Sequence, residues 1–228
     1  MSTASPHSAE GPTFPGVERA AARSSFIRAR LGSALAIVPL GVWTVVHLWH
    51  NLAAFDSPDA WQVAVTEYPH PFAEAATGVI VILPLALHVM WGIGRLATSR
   101  PNNIRYGSYA NVKYLLQRLS AVGVLFFLGA HLWLALIRPR WAGHAEAFED
   151  IAHEMHFHGP TLLTYVLGTL GVSYHLANGA QTFCMSFGIV SSQRALRRLE
   201  GAAIATFVIL LVMSWGAVYA LWAAGASS

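Results

Sequence analysis

Charge is scarce in this sequence. Asp, Glu, Lys and Arg make up only 11% of its 228 residues, where a soluble domain carries about a quarter. Hydrophobic residues make up 55% and the mean hydropathy is +0.48, so almost no length remains for a soluble domain of ordinary size. Cysteine is scarcer still. Cys184 stands alone, which excludes an internal disulfide and a cysteine-ligated iron–sulfur cluster. No CxxCH pair is present for covalent c-type haem attachment. The first residues contain no short apolar core followed by a small-residue cleavage site. Residues 1–24, rich in Ser, Ala, Pro and Gly, therefore read as a flexible cytoplasmic tail and not as a signal peptide.

What the chain has is long apolar runs. Five are expected to cross a bilayer: Leu31 to Ala53, Phe72 to Ala97, Gln117 to Ile137, Pro160 to Ser186 and Ala202 to Ala223. Each is long enough for about 30 Å of hydrocarbon as a helix. Pro39 and Pro84 fall inside them, which membrane helices tolerate when neighbours satisfy the freed carbonyls. The fold class is an all-α membrane protein, with residues 25–228 as a single transmembrane domain. Twelve of the 14 basic residues fall in the tail, the second connection and the fourth connection. The other two connections hold Arg138 and Arg140 against eight acids. The excess places the N-terminus in the cytoplasm and the C-terminus outside. Trp49, Trp61, Trp141 and Trp222 then fall near the outer ends, where interfacial aromatics are expected.

Each of the first four runs carries a histidine: His47, His88, His131 and His175, at intervals of 41, 43 and 44 residues. A polar ring in hydrocarbon is costly and marks function by default, although a hydrogen bond to a neighbouring helix is the structural reading of any one. Counted from the cytoplasmic ends, His47 and His131 share a depth nearer the outside. His88 and His175 share one about five residues, or roughly 8 Å, nearer the cytoplasm. Two imidazoles at each of two levels suit two b-type haems, each ligated from both faces, with the first four helices as the haem-binding bundle. Filling both axial positions favours electron transfer over oxygen chemistry. Glycines beside the ligands, Gly92, Gly171 and Gly179, offer room for a macrocycle or close helix packing. No run holds the HxxxH or HxxHH spacing of a clustered-histidine membrane enzyme.

An ordered set of segments now has a likeness: Arg30-Leu-Gly-Ser33, Pro39, His47-Leu48 to Asn51, Leu83-Pro84 to His88, Asn102-Asn103 to Tyr109, Gln117-Arg118 to His131-Leu-Trp133, His175-Leu-Ala-Asn178-Gly179, and Ser186-Phe-Gly188-Ile. Over residues 25–193 the chain resembles the di-haem cytochrome b membrane anchor of succinate:quinone oxidoreductases and fumarate reductases. The resemblance implies a bacterial cytoplasmic (inner) membrane location, and flavoprotein and iron–sulfur partner subunits on the cytoplasmic face. It implies an inner haem on His88 and His175, an outer haem on His47 and His131, and a quinone near the outer haem. In this branch menaquinone is the expected quinone, and the complex belongs to the tricarboxylic acid cycle as complex II. This chain would bind no dicarboxylate. One departure stands out: some relatives carry a glutamate two residues before the fourth histidine, tied to a transmembrane proton route, where this chain has Ser173.

Arg30, Ser33, Lys113 and Arg118 are candidates for haem propionates, or ordinary positive-inside charge. Glu74 is a candidate quinone-side proton relay, or a first-turn acid at a helix N-terminus. His50 and Asn51 sit where quinone contact or interfacial snorkelling would each explain them. His144, His153, His156 and His158 crowd one connection. An amphipathic surface helix over Glu146 to His158 explains them better than a metal cluster. Two other readings remain: the anchor of another quinone-linked dehydrogenase, and a metal transporter using the four histidines directly.

Overall fold

A computed structural model describes residues 30–66, 72–98 and 107–227. The tail 1–24, Arg100, Arg105 and Asn102-Asn103 lie outside the described residues. Among the described residues all regular structure is helical. Helix α1 is Arg30–Phe55, α2 is Pro58–Val65 and α3 covers residues 73–97. Helix α4 is Tyr109–Trp141, α5 is Phe148–Phe157, α6 is Gly159–Ser186 and α7 is Gln193–Ala224.

Helix starts follow their capping residues. Ser57 Oγ accepts from Ala60 N at 3.1 Å, with Pro58 in the first turn. Ser108 caps α4 and Ser192 caps α7 in the same way, each satisfying an orphan amide. Prolines mark the places where the helices widen. Pro39 lies inside a π-helical segment, Ala36–Gly41. Pro84 and Pro139 each follow one by a residue, Gly78–Ile82 and Trp133–Ile137. A proline ring clashes with the carbonyl one turn back and donates no hydrogen bond, and a wider turn relieves both.

Four helices are long and apolar enough to cross a membrane: α1, Ala75–Ala97 of α3, α4 and α7. Many large apolar side chains on them face outward, Val38, Met90, Phe126 and Val212 among them, as a lipid-facing surface requires. Helix α6 has the length, about 42 Å for 28 residues, but is too polar to count among the four. Its place in the bundle explains the polarity. It packs between α4 and α7, and Thr169, Ser173 and Gln181 are buried there. Thr169 Oγ1 donates to Tyr165 O at 2.7 Å and Ser173 Oγ to Thr169 O at 2.8 Å, so these hydroxyls are satisfied within their own helix.

Helix α1 lies against α6 in its first half and against α7 in its second. Helix α3 rests on α1 and meets α4 only lightly. The backbones on the two diagonals, α1 with α4 and α3 with α6, stand apart. One end of the bundle carries Arg30, Arg95, Lys113 and Arg194. The opposite end, called here the acidic end, carries Asp56, Asp59, Glu146, Glu149 and Asp150.

The tightest packing lies at the acidic end. The expected amphipathic helix is α5, which turns Phe148, Ile151, Ala152 and Met155 inward, all at 5% exposure or less. It docks on α7 and α6. Gly225 follows α7 against the Ala152 carbonyl, where any Cβ would overlap it. One element is additional and one expectation needs correction. The connection after α1 contains a helix, α2, that apolar periodicity did not reveal. Trp61, expected at the interface, is 1% exposed and meets Phe148 edge-on at 5.5 Å. By contrast Trp49 and Trp141 are well exposed.

Candidate functional site

The four histidines of the first four apolar runs meet in two pairs across the open diagonals. His47 of α1 faces His131 of α4, with ring centres 5.8 Å apart and planes at 67°. His88 of α3 faces His175 of α6 at 6.2 Å and 71°. These are the partners that the depth count along the sequence put together. Two metal–imidazole bonds of about 2 Å each, with the inner half of each ring, span roughly 6 Å. Each pair thus has the separation that one metal ion between two ring nitrogens requires. Space beside the rings is also available. Gly92, one turn after His88 on the same side of its helix, has nothing within 4 Å of where a Cβ would stand. Both observations fit a flat macrocycle entering between diagonal helices.

Ring partners differ between the pairs. His88 Nδ1–H donates to Gly32 O at 3.3 Å. His175 Nδ1 lies 3.2 Å from Gln117 Nε2 and 3.3 Å from Ser120 Oγ, both on α4. Near the acidic end, His131 Nδ1 lies 3.0 Å from the Tyr165 hydroxyl, and its ring stacks on Phe127 at 5.5 Å. His47 stacks on Trp43 at 4.5 Å. Asn51 Nδ2 donates to His47 O at 2.8 Å, while Trp61 Nε1 donates to Asn51 Oδ1 at 3.1 Å. Asn51 is therefore part of the scaffold under His47, and His50 is exposed. Gly32, Trp43, Ser120, Phe127 and Tyr165 had no sequence signal of their own. Gln117 had one, an amide at the mouth of an apolar run.

The cationic candidates separate on contact. Arg30 Nη2 donates to Ser186 O, and the guanidinium lies 5.2 Å over Phe187. It caps the last turn of α6. Ser33 is half-buried one turn further along α1. Lys113 Nζ lies 3.0 Å from Glu200 Oε1, tying α4 to α7. Arg118 stacks on Tyr114 at 4.6 Å, and its Nε is buried with no hydrogen-bond partner among the described residues. A buried cationic N–H left unmade is costly, and an anionic group reaching Arg118 would satisfy it. Glu74 lies in the first turn of α3, and its side chain is outside the described residues. Cys184 is a free, half-buried thiol.

At the acidic end Gln62 clasps the connection before α5. Its Nε2 donates to Glu146 O at 2.9 Å and its Oε1 accepts from Phe148 N at 3.0 Å. Burial pushes the Glu146 carboxyl up from 4.5 to about 8, against the opposing pull of Arg140. The remaining histidines look to separate neighbours. His156 Nδ1–H donates to Trp222 O at 2.9 Å and its ring stacks on Trp222. His158 Nδ1 lies 2.6 Å from Thr161 Oγ1. His153 lies against Phe157, and His144 turns to the adjacent Ala145 carbonyl. No group of three or more metal-binding side chains converges among the described residues.

Residues 99–215 match the model of a family described as succinate dehydrogenase/fumarate reductase transmembrane subunit. The chain is also 28% identical over 193 residues to the succinate dehydrogenase cytochrome b558 subunit of Bacillus subtilis (strain 168). That alignment covers 84% of this chain and 94% of the relative. No solved structure matches the chain.

Proposed function

This chain belongs to the succinate dehydrogenase/fumarate reductase transmembrane subunit family, and we propose that it is the di-haem b anchor of a succinate:menaquinone oxidoreductase. The observation that carries the reading is the meeting of four intramembrane imidazoles as two separate pairs, each about one bis-imidazole metal site apart. Four rings grouped two by two do not suit a single tetrahedral ion, which weighs against the metal-transporter reading. The relative's name speaks of a cytochrome b558 in succinate dehydrogenase, which favours this assembly over another quinone-linked dehydrogenase.

His88 and His175 would hold the haem near the basic end, and His47 and His131 the one near the acidic end. A haem held by each pair would supply one-electron transfer. The chain's own residues orient the rings. Gly32 O takes the Nδ1 proton of His88 and so leaves Nε2 to face the cleft. Tyr165 does the same for His131 when its oxygen accepts. Arg118 offers its unpartnered Nε to a propionate. Arg30 and Lys113, held by Ser186 and Glu200, and Ser33 line the same end in secondary roles. The basic end faces the cytoplasm, where the flavoprotein and iron–sulfur subunits dock, and α6 is a fifth crossing shielded from lipid by its neighbours. Menaquinone is reduced near the outer pair, with Glu74 as the acid that relays protons.

Haem-to-protein stoichiometry of the purified complex tests this. Two haems b are expected. His131→Ala should remove one and His88→Ala the other, with the complementary haem kept in each. A complex with one haem, or a His88→Ala complex that keeps both, overturns the reading.

A further inference from the structure

The side chains within hydrogen-bonding reach of the His175 ring come from one face of α4. Gln117 Nε2 is 3.2 Å from His175 Nδ1 and donates to the His175 backbone oxygen at 3.2 Å. Gln117 Oε1 accepts from Asn178 Nδ2 at 2.7 Å. Ser120 Oγ donates to Gln117 O at 3.1 Å and lies 3.3 Å from His175 Nδ1. The Cβ of a residue replacing Gly179 would touch the Gln117 amide at 3.8 Å, and one replacing Gly171 would meet Val124 at 3.5 Å. Helix α6 thus approaches α4 closely on both sides of His175.

We propose that Gln117 and Ser120 are positioning residues that fix the tautomer and the ring plane of His175. The inference rests on the reading of His175 as an iron ligand. A ring that presents Nε2 to iron carries its proton on Nδ1 and needs an acceptor there. Ser120 Oγ is that acceptor, because its own proton is spent on the Gln117 carbonyl. Gln117 binds the same residue through the backbone and is itself held by Asn178, one turn beyond His175. The His175 ring therefore cannot rotate about its χ angles without breaking its bond to Ser120, while Gln117 holds the His175 backbone from the same helix. A hydrogen bond accepted from Nδ1–H raises the basicity of the ligand and so favours the oxidised metal.

The test is redox titration and low-temperature electron paramagnetic resonance of the whole complex carrying Ser120→Ala, Ser120→Thr, Gln117→Leu or Gln117→Asn. Ser120→Ala should raise the midpoint potential of one haem component and leave the other in place, and Ser120→Thr should restore the wild-type value. Gln117→Leu should change the g-anisotropy of the same component, because the ring plane is freed. Gln117→Asn keeps the amide but is one methylene short, and should fall between. If Gln117→Leu prevents assembly, the two serine variants decide the matter alone. Two haems with unchanged potentials and spectra in Ser120→Ala would overturn this proposal and leave the ligand assignment standing. Retention of both haems in His175→Ala would overturn the ligand assignment itself.

Discussion

His47 and His131 are boxed by rings: Trp43 stacks on one, Phe127 on the other, and Tyr165 closes the side. His88 and His175 are held instead by a backbone carbonyl, an amide and a hydroxyl. Both pairs thus use hydrogen bonds, Tyr165 serving His131, and they differ in the stacked rings that flank only the first. The aromatic pair sits beside the tightest part of the molecule, where α2, α5 and the end of α7 enclose a core around Trp61 and Met155. The hydrogen-bonded pair includes a ring from α3, the helix that rests on α1 and meets α4 only lightly. Close packing fixes a ring through volume and has little tolerance for added atoms. Hydrogen bonds fix direction, and are sensitive to the loss of single polar atoms.

The comparison is open to direct challenge, and the largest effect is expected from volume. Gly168 lies where a Cβ would overlap the Phe127 ring and its Cβ. Gly168→Val should cost about 2–4 kcal/mol. The haem proposed for the aromatic pair should be lost first, read as a fall from the expected two haems per protein to one. Equal loss of both would erase the distinction between the two ends.

The acidic end should also respond to pH. Glu146 is pushed up to about 8 by burial, so folding favours its protonated form. Its stabilising contribution is complete below about 4.5 and is lost as pH rises through about 8. Thermal midpoints of the purified protein should drop between about pH 4.5 and pH 8 and level off above that. Glu146→Gln should flatten that dependence, and an unchanged slope would remove Glu146 from the account.

Tyr165→Phe keeps the ring against Phe127 and removes only the hydroxyl beside His131. About 1 kcal/mol of stability should be lost, together with an upward shift in the potential of one haem component. A shift in the component that Ser120→Ala moves would show that the two pairs are coupled, contrary to their separate supports. The smallest effect belongs to Lys113→Met. Its ion pair with Glu200 is partly exposed, so the thermal midpoint should stay nearly unchanged. Both haem spectra should stay as they were.

Much of this was legible in the sequence. The runs around His47, His88 and His131 became helices within a few residues of their expected ends, except that α4 starts at Tyr109 and α7 at Gln193, well before the apolar runs. The extra turns carry Lys113, Arg194 and Glu200, polar residues that hydropathy discounts but helix propensity favours. Depth counting paired the four histidines because helix rise is constant. It could not find Tyr165 or Ser120, since neighbours across a bundle depend on helix rotation, which apolar composition does not encode. Helix α2 went unseen because eight residues carry too little periodicity. Ser57-Pro58-Asp59, a capping residue followed by proline and an acid, was the signal that announced it. Trp61 read as interfacial because tryptophan often is, and only the presence of α5 above it makes it core.

The π-helical segments carry a consequence for comparison among relatives. A π turn holds one residue more than the α turn it replaces, so the chain beyond it is rotated by about 100° relative to an uninterrupted helix. Ala36–Gly41 precedes His47 and Gly78–Ile82 precedes His88, so each of these histidines owes its heading to a surplus residue upstream. A relative that lacks the proline should also be one residue shorter at that place if it keeps the same heading. Single-position gaps in alignments near residues 36–41 and 78–82 would then be conservative in space, while gaps of the same size between those segments and the histidines would not.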